Sequence, residues 1–542
     1  MVHTIYRWTA YASATKEREC VMRKSVLLML GMGLCAAVQG AAFDPIHGQW
    51  PASGNDLANS RSQPAEVQIG PANVKSLTVK WVFTTGADVS ATPTVSGDAV
   101  FFPDWAGNLF AVNKHTGQLI WSHQISEYDG ASGAISRNSP AIHGNEVIVG
   151  DIPAHFALHN GANVIAVDRA TGVLRWITSV DSHVSAQITG SPVIFGDVVY
   201  VGVSSQEEAF ALGAPAYPCC TFRGSVVALD ARSGKILWKT YDMPDNGGQP
   251  GGYSGGAIWQ PPAIDPLRGQ LYIGTGNNYS APASVLQCQQ QAIANGDPNT
   301  SDCAAPDDLF DTALALDLAD GRIRWSKRLM NYDVWTVPCI VPGFENLCPS
   351  PAGPDYDLGG SGPNLLPGHV GFGQKSGIYW TLNPNDGDIR WSTQVGPGGG
   401  TGGIQWGSAT DGRRIYAAIS NNNQVSYTLV PSGQQINWGF WSAVDVWTGK
   451  LIWQTVDPTP GATDSGSVSV ANGVVYVGSE SGFMYALEAT TGKILWSFAS
   501  GGSVIDGPSI VDGVLYWGSG YANATPGTGN NKLYAFSIKP GR

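Results

Sequence analysis

The apolar and polar positions of the 542-residue chain repeat in a fixed order. Seven times an apolar run ends at Asp, Asn or Glu, Gly follows four residues later, and Trp follows four residues after the Gly. An apolar strand, a polar turn residue, a Gly that can adopt positive φ and a second strand together form a β-hairpin. The seven sets are Asn113/Gly117/Trp121, Asp168/Gly172/Trp176, Asp230/Gly234/Trp238, Asp317/Gly321/Trp325, Asn383/Gly387/Trp391, Asp445/Gly449/Trp453 and Glu488/Gly492/Trp496.

The recurring tryptophan indicates how these hairpins assemble. One large amphipathic side chain per four-stranded sheet can pack between neighbouring sheets while its indole N–H reaches a backbone acceptor. The shortest interval, from Trp453 to Trp496, is 43 residues, which suits one blade of a β-propeller with longer loops elsewhere. The repeat therefore predicts an all-β propeller with tryptophan docking motifs.

The two ends of the chain predict how the ring closes. Trp81 ends a strand-like run with no Asp-to-Gly turn before it, and no further docking tryptophan follows Trp496. The tail supplies three predicted strands, near residues 509–511, 514–517 and 533–538. An amino-terminal strand that completes the last blade would remove exposed sheet edges. We expect eight blades, with seven as the alternative.

Composition agrees with a turn-rich all-β chain, because it includes 69 glycines and 19 tryptophans and only 13% charged residues. Length alone would suggest three or four domains, but the repeat predicts one propeller over residues 43–542.

Residues 1–42 have the order of a secretory leader: a basic start at Met22–Ser25, an apolar run from Val26 to Val38, and small residues at 40–42. The run is too short to span a bilayer. We therefore expect a periplasmic or secreted protein, in which residues 1–21 are an extension upstream of the leader. The alternative for the apolar run is a buried core helix.

The net charge and the cysteine count limit the possible partners and the cellular compartment of the protein. Residues 1–42 carry five basic and two acidic residues, so without them the formal charge falls from −12 to −15, which argues against a nucleic-acid partner. Six cysteines remain, an even number that favours disulfides in an oxidising compartment. Closeness along the chain favours Cys288 with Cys303 and Cys339 with Cys348. Cys219 and Cys220 are then left as an adjacent pair, with pairing to distant cysteines as the alternative. No Cys-x-x-Cys-His for covalent haem is present.

The docking repeat, the run Asn55–Arg61 and several interior motifs resemble the pyrroloquinoline quinone (PQQ) dependent alcohol dehydrogenases over nearly all of the mature chain. Within that family, Tyr217–Gly224 and the cysteine loop near residue 340 resemble the polyvinyl alcohol dehydrogenases. The resemblance implies a quinone on the propeller axis and a divalent metal that polarises its reacting carbonyl. It also implies oxidation of secondary, even polymeric, alcohols to ketones, with a separate cytochrome c or similar protein as electron acceptor.

The resemblance assigns metal ligands at two motifs. It places a carboxylate ligand at Glu207, within Gly202–Glu208, and an amide-oxygen ligand at Asn277, within Gly274–Asn277. Such hard oxygen donors suit calcium. Taken alone, the two motifs would be an acidic loop and an Asn-Gly turn, but their coexistence favours a metal site.

The resemblance also assigns contacts to the quinone. Trp259, which lies outside the docking series, matches the tryptophan that forms the floor under the quinone; an ordinary core tryptophan is the alternative. Thr189 and Ser204 would hydrogen-bond the rim of the quinone. Lys375 would lie beside the quinone oxygens and Arg137 on a carboxylate.

Two further cofactor contacts are implied. Asn421 is assigned within Asn421–Asn423, where three consecutive asparagines leave the alignment open. Cys219 and Cys220 would close an eight-membered disulfide ring that packs against the quinone. Here this pair follows the Glu207 motif, whereas the family pattern has it earlier.

The general base rests on an interrupted motif. Related dehydrogenases carry Asp-x-Trp-Asp-Tyr-Asp, in which the aspartate after Trp takes the alcohol proton. Here residues 333–335 read Asp-Val-Trp, Thr336 follows, and Asp-Tyr-Asp comes at 355–357. Cys339 and Cys348 lie between, so we interpret the stretch as a disulfide-bridged insertion that splits the motif.

We therefore expect Asp355 to act as the base and as a metal ligand, with Asp357 in reserve as base and as an additional ligand. Such an additional carboxylate would favour a lanthanide over calcium. Two other classes stay open: a non-catalytic propeller scaffold of the outer-membrane assembly type, and a lectin-like ligand-binding propeller. Neither requires Glu207, Asn277 and Lys375 together, so their coexistence favours the enzyme.

Overall fold

The computed structural model describes residues 48–297, 302–522 and 527–538, so the predicted leader, residues 1–42, lies outside the described residues. The described residues form eight sheets of four or five strands, arranged as an eight-bladed β-propeller, and two two-stranded ribbons. The predicted eight blades are confirmed and the seven-bladed alternative is wrong. Among the residues described, no helix is both long and apolar enough to cross a membrane.

We number the blades along the chain. In blades 1 to 4 the four main strands follow one another in sequence order, joined as antiparallel neighbours. Their bounds are Thr94–Ser96, Ala99–Pro103, Asn108–Asn113 and Leu119–Gln124; Ala141–His143, Glu146–Gly150, Ala162–Asp168 and Leu174–Asp181; Val193–Phe195, Val198–Ser205, Ser225–Asp230 and Ile236–Tyr241; and Ala263–Asp265, Gln270–Gly274, Thr312–Asp317 and Ile323–Arg328. In blade 3, Ala186–Gln187 adds a short fifth strand to Val198–Ser205.

Blades 5 to 7 continue the same order, and blade 8 takes its fourth strand from the amino-terminal part of the chain. Their bounds are Pro363–Leu366, His369–Gly373, Ile378–Leu382 and Ile389–Gln394; Ala409–Thr410, Arg414–Ile419, Phe440–Asp445 and Leu451–Val456; Ser469–Ala471, Val474–Gly478, Phe483–Glu488 and Ile494–Ala499; and Ser509–Val511, Val514–Ser519, Lys532–Ile538 and Leu77–Thr84. Ser62–Gln63 pairs in parallel with Ser469–Ala471. The two ribbons join Ser254–Gly255 to Asn278–Ser280 and Tyr427–Thr428 to Gln435–Ile436.

Blade 8 confirms the predicted closure of the ring. Leu77–Thr84 pairs antiparallel with Lys532–Ile538, with an irregularity between Val79 and Trp81. The first and last main strands of the chain therefore share one sheet, which leaves neither strand as a free edge at the seam.

Each docking tryptophan donates its indole N–H to a backbone carbonyl of the following blade. The acceptors are Lys114 for Trp81, Arg169 for Trp121, Ala231 for Trp176, Leu318 for Trp238, Pro384 for Trp325, Val446 for Trp391, Ala489 for Trp453 and Leu77 for Trp496, at distances from 2.8 to 3.2 Å. Trp81 thus joins the seven tryptophans of the repeat. Eight indoles link eight blades in one closed series.

Gly234 shows why the repeat requires glycine. Its φ is +70°, in the left-handed region, and a Cβ there would lie 2.4 Å from Cε3 of Trp176 in the preceding blade. A side chain would therefore be strained by the backbone and would also collide with the docked indole. The turn glycine of one blade therefore packs directly against the docking tryptophan of the preceding blade.

Short helices and disulfides lie in the loops between strands. The α-helices are Ser126–Asp129, Glu207–Phe210 and Ala283–Ala294, and the 3₁₀ turns are Val74–Ser76, Ala211–Gly213, Val337–Cys339 and Glu345–Leu347. Disulfides join Cys288 to Cys303, Cys339 to Cys348 and Cys219 to Cys220, which confirms the predicted pairing.

Candidate active site

A cavity of about 300 Å³ is lined by strand ends and by loops within and between the blades. Seven of the residues singled out in the sequence line it: Arg137, Thr189, Ser204, Trp259, Asp355, Asp357 and Lys375. Because these residues span more than 200 positions of the chain, only the closed ring brings them together. We call this space the central cavity.

Trp259 divides the central cavity from a smaller one. Trp259, Trp406, Arg137 and Thr189 line both the central cavity and a second space of about 60 Å³. Trp406 stands edge-on to Trp259, with ring centroids 5.1 Å apart. A Cβ on Gly360 would lie 2.6 Å from Cη2 of Trp259, so the glycine lets the backbone support the indole directly. Trp259 therefore has the position of a floor.

Above this floor, one lysine is shared by two carboxylates. Lys375 Nζ lies 2.9 Å from Oδ1 of Asp355, 2.7 Å from Oδ2 of Asp357 and 5.6 Å from the centre of the Trp259 ring. All three charged side chains are buried. Burial acts to lower the pKa of Lys375, but the surrounding carboxylates outweigh it and hold that pKa above its ordinary value. The lysine is therefore a fixed positive charge in this cavity.

The pKa of Asp355 is raised well above the usual aspartate range. Burial is the largest cause; Lys375 opposes it, and Asp357 and Glu208 add to it. Burial likewise raises the pKa of Glu208, which lines the same cavity, to about 7. Three acids and one charged lysine therefore share a poorly solvated space, and a cation bound there would favour the ionised forms of the acids.

Asp333 holds the loop that presents Asp355. Its Oδ1 accepts the backbone N–H of Asp355 at 3.0 Å, and its Oδ2 accepts that of Tyr356 at 2.6 Å. Asp355 has a φ of +59°, a left-handed conformation that these two hydrogen bonds help to fix. The first and second halves of the split motif are thus in direct contact, and the bridged segment Cys339–Cys348 lies between them in sequence.

Asn277 lies next to Asp357 but does not line the central cavity. Its backbone N–H donates to Oδ1 of Asp357 at 2.7 Å. Its side-chain Nδ2 donates to the carbonyls of Asn278 and Trp335 at 2.9 and 3.0 Å. These two bonds fix which way the amide group faces.

Glu207, the predicted carboxylate ligand, lies outside the central cavity. Its carboxylate accepts the hydroxyl of Tyr217 at 2.8 Å and the backbone N–H groups of Thr221 and Phe222 at 2.8 Å each. The Glu207–Phe210 helical turn begins here, and successive helical side chains point about 100° apart. Glu208 consequently faces the cavity while Glu207 faces the loop that follows the cysteine pair.

The Cys219–Cys220 disulfide also lies outside the lining of the central cavity. Cys220 is fully buried in a cluster with Ala257 and Tyr279, and both Cys219 and Trp259 pack against this cluster. Cys219 lines a neighbouring cavity instead. The predicted packing of the ring against the quinone therefore stays a prediction.

Asn421 is used within its own loop. Its Oδ1 accepts the N–H of Val425 at 3.0 Å, and its Nδ2 donates to the carbonyls of Val425 and Trp438. Asn421 does not line the central cavity, whereas Ser204 and Thr189 do, and Ser204 Oγ donates to Thr189 Oγ1 at 2.8 Å. Arg137 donates to the hydroxyl of Tyr521 at 3.2 Å and stacks 4.6 Å from the centre of the Trp406 ring.

Sequence reasoning missed Glu208, Trp406 and Tyr279, which all line the central cavity. The pair Glu207–Glu208 carried a signal, since one of two consecutive residues at the end of a buried strand faces inward. Trp406 and Tyr279 belong to no repeat, so nothing in their spacing marked them. No three Asp, Glu, His or Cys side chains are arranged as a ready metal site in the part of the chain that the structure describes.

Comparison with known proteins defines the class. The model of the glucose/ethanol/alcohol dehydrogenase β-propeller domain of PQQ enzymes matches residues 50–339, more than half of the chain. The model of outer membrane protein assembly factor BamB matches residues 441–542. The chain belongs to the PQQ-dependent alcohol dehydrogenase family, as the sequence predicted.

Individual relatives agree with this assignment. The chain is 32% identical to the polyvinylalcohol dehydrogenase of Sphingopyxis sp. (strain 113P3), covering 90% of this chain and 76% of the relative. It is 31% identical to a polyvinylalcohol dehydrogenase from Pseudomonas sp., covering 90% and 77%. Among solved structures, quinohemoprotein alcohol dehydrogenase ADHIIG from Pseudomonas putida HK5 superposes with a TM-score of 0.67 at 18% identity, covering 91% of this chain and 81% of the other.

Proposed function

We propose that this protein oxidises secondary alcohols, including polymeric ones such as polyvinyl alcohol, to ketones, with PQQ and a metal cation in the central cavity. The observation that carries the proposal is the buried group Asp355–Lys375–Asp357 above the indole of Trp259. The names of the relatives at 31 and 32% identity support the substrate class.

The residues present fit PQQ by shape and charge. The cavity of about 300 Å³ falls in the range of small-molecule sites and has an indole as one wall. Lys375 and Arg137 supply the cations that an anionic quinone requires, and Thr189 and Ser204 supply hydroxyl groups. When bound, PQQ supplies the carbonyl that accepts hydride, and the cation polarises that carbonyl.

The donor set also fits a hard cation. Glu208, Asp355 and Asp357 face the cavity, and Asn277 adjoins Asp357 through its backbone N–H, which donates to Oδ1 of Asp357. We propose that Glu208 takes the position that the sequence assigned to Glu207, with Asn277, Asp355 and Asp357 as the other ligands. Oxygen donors of this kind suit calcium, and the fourth donor, Asp357, favours a lanthanide.

Asp355 is the proposed base. Its raised pKa gives its ionised form a stronger affinity for a proton than an exposed aspartate has. Lys375 holds Oδ1 of Asp355, and Asp333 holds its backbone, so the carboxylate is oriented before the alcohol arrives. Asp355 would accept the hydroxyl proton of the alcohol, while Asp357, the other carboxylate in contact with Lys375, stays in reserve.

The cellular setting is part of the proposal. Three disulfides suit the oxidising environment that the predicted leader implies. We therefore place the protein in the periplasm or outside the cell, with a separate cytochrome c or similar protein accepting the electrons.

The test is reconstitution with PQQ and calcium. Titration of the purified protein with PQQ should quench tryptophan fluorescence, and Trp259→Phe should remove most of that quenching. The loaded protein should then reduce an artificial dye with 2-propanol as donor. Absence of quinone binding at micromolar protein would overturn the proposal.

A further inference from the structure

Asp311 is a buried aspartate that the chemistry described above does not use. It immediately precedes the strand Thr312–Asp317 and is 0% exposed. Its backbone is fixed, because its N–H donates to the carbonyl of Gly276 and its own carbonyl accepts the N–H of Leu329, each at 3.0 Å. Neither side-chain oxygen of Asp311 accepts an N–H or O–H hydrogen bond from a described residue. The carboxyl group therefore requires another kind of partner.

That partner is the carboxyl group of Asp333, which lies within hydrogen-bonding distance. An ionised carboxylate only accepts hydrogen bonds, so a bond between two carboxyl groups requires a proton on one of them. Burial is the largest cause that raises the pKa of Asp311 well above its ordinary value, and Asp333 adds to it. Burial also raises the pKa of Asp333, to about 6, but the N–H groups of Tyr356 and Asp355 and the hydrogen bond with Asp311 oppose it. The proton therefore belongs to Asp311, and Asp333 is the ionised acceptor.

No cation offers an alternative way to stabilise this pair. Among the described residues, no lysine, arginine or histidine forms an ion pair with Asp311 or Asp333, and Lys375 pairs with Asp355 and Asp357 instead. Asp355 and Asp357 also disfavour a further negative charge on Asp311. Two adjacent ionised carboxylates in a buried site would repel each other and would both lack solvation. A proton on Asp311 removes one of the two charges.

The position of Asp333 determines the position of the loop that carries Asp355. The two oxygens of Asp333 accept the backbone N–H groups of Asp355 and Tyr356. The loop also packs closely on Asp333, because a Cβ at Gly353 would collide with Oδ1 and Cα of Asp333. The N–H of Gly353 donates to the carbonyl of Val334 at 2.8 Å. A movement of the Asp333 carboxylate would therefore move the backbone of Asp355.

We propose that Asp311 is a protonated carboxylic acid that donates a hydrogen bond to Asp333, and that this bond positions Asp355 for proton abstraction. Asp311 is a positioning residue, because it acts through Asp333. It keeps its own proton throughout, while Asp355 takes the proton of the alcohol. This inference rests on the proposed function, in which Asp355 is the base, and adds the group that holds the base in place.

The experiment compares three variants. Asp311→Asn keeps a donor and tolerates the φ of +44° at this position, Asp311→Gly removes the donor and adopts that φ without strain, and Asp307→Asn is the control at an exposed position of the same segment. In protein loaded with PQQ and calcium, Asp311→Gly should lower kcat for 2-propanol about tenfold or more and leave KM nearly unchanged, because a displaced base is felt in the transition state. Asp311→Asn should recover most of this loss, because its amide N–H can donate to Asp333.

Two further measurements need no cofactor. Hydrogen–deuterium exchange of the Asp355 and Tyr356 amides should be about tenfold faster in Asp311→Gly than in the wild type, with most of the protection recovered in Asp311→Asn. An effect confined to these amides reports the loop, whereas a general loss of stability would accelerate exchange throughout the blade. The infrared difference spectrum between the wild type and Asp311→Asn at neutral pH should contain the carbonyl stretch of a protonated carboxylic acid. Asp307→Asn should not give this band.

The outcomes separate this inference from the proposed function. If no alcohol is oxidised but the exchange rates and the infrared band are as expected, the proposed function fails and the hydrogen bond from Asp311 to Asp333 stands. If the wild type oxidises 2-propanol but the infrared band is absent, or Asp311→Asn loses as much kcat as Asp311→Gly, the inference is overturned and the proposed function stands. The infrared band decides the protonation of Asp311 even if Asp311→Gly does not fold.

Discussion

Glu207 and Glu208 are consecutive residues whose carboxylates serve different parts of the molecule. Glu208 lines the central cavity, whereas Glu207 accepts hydrogen bonds from the loop after the cysteine pair. The turn of helix that begins at Glu207 produces this divergence. Glu208 therefore contributes a carboxyl group to the cavity, and Glu207 holds the loop in place. The two roles can be tested separately.

We predict that two matched substitutions affect different properties, one the calcium requirement and the other the free energy of unfolding. Glu208→Gln should raise the calcium concentration needed for half-maximal activity at least tenfold, because a neutral amide is a weaker ligand than a carboxylate. Glu207→Gln should leave that concentration unchanged but lower the free energy of unfolding by about 1–3 kcal/mol, because buried N–H donors lose a charged acceptor. Calcium titration after chelation and urea unfolding measure the two. A calcium effect confined to Glu207→Gln would restore Glu207 as the ligand.

Asp355→Asn should abolish turnover without loss of PQQ binding. The amide keeps the shape of the side chain but cannot take the alcohol proton, and loss of a general base costs about 10²- to 10⁴-fold in rate. Steady-state dye reduction and fluorescence titration with PQQ supply the two readouts. Asp388→Asn, at an exposed turn, is the matched control. Full activity of Asp355→Asn would shift the assignment to Asp357.

The docking contact between blades predicts a difference between two glycines. Gly234→Ala should lower the free energy of unfolding by more than Gly247→Ala does. Both positions have positive φ, +70° and +63°, but a Cβ at Gly234 would meet the indole of Trp176 whereas nothing lies within 4 Å at Gly247. Backbone strain of about 1 kcal/mol is common to both, so the excess measures the blade contact. If urea unfolding shows that both variants lose the same free energy of unfolding, the indole of Trp176 moves aside for the added Cβ without a measurable loss of stability.

The fold could be predicted from sequence because the contact between a turn glycine and the docking tryptophan of the preceding blade recurs seven times. Each turn glycine and docking tryptophan repeat the same local geometry, so their spacing alone determines the architecture, and Trp81 indicated how the ring closes. The site could be predicted only in part, because its residues come from segments without a repeat. Asp355 was found through the interrupted motif, but the direction in which Glu207 points depends on one helical turn, and no pattern marks Trp406.

A buried carboxylate far from Asp355 in sequence should make stability depend on pH. Asp242 is 2% exposed, and neither side-chain oxygen has a hydrogen-bond partner among the described residues. Burial raises its pKa well above the ordinary value, with Asp308 adding to the effect and Arg223 opposing it. The folded protein therefore favours the protonated form, while the unfolded chain ionises this group from about pH 4 upward.

The sign follows from that difference. Above about pH 4 the unfolded state binds fewer protons at this site than the folded state, so Asp242 costs stability that grows with pH by up to about 1.4 kcal/mol per unit, until the folded-state pKa is reached. Asp242→Asn removes the ionisation and should gain stability relative to the wild type as pH rises from 5 to 8. Urea unfolding of both proteins at several pH values, with Asp388→Asn as control, measures the effect. A stability difference that stays constant over this range would show that Asp242 is ionised in the folded protein at its ordinary pKa.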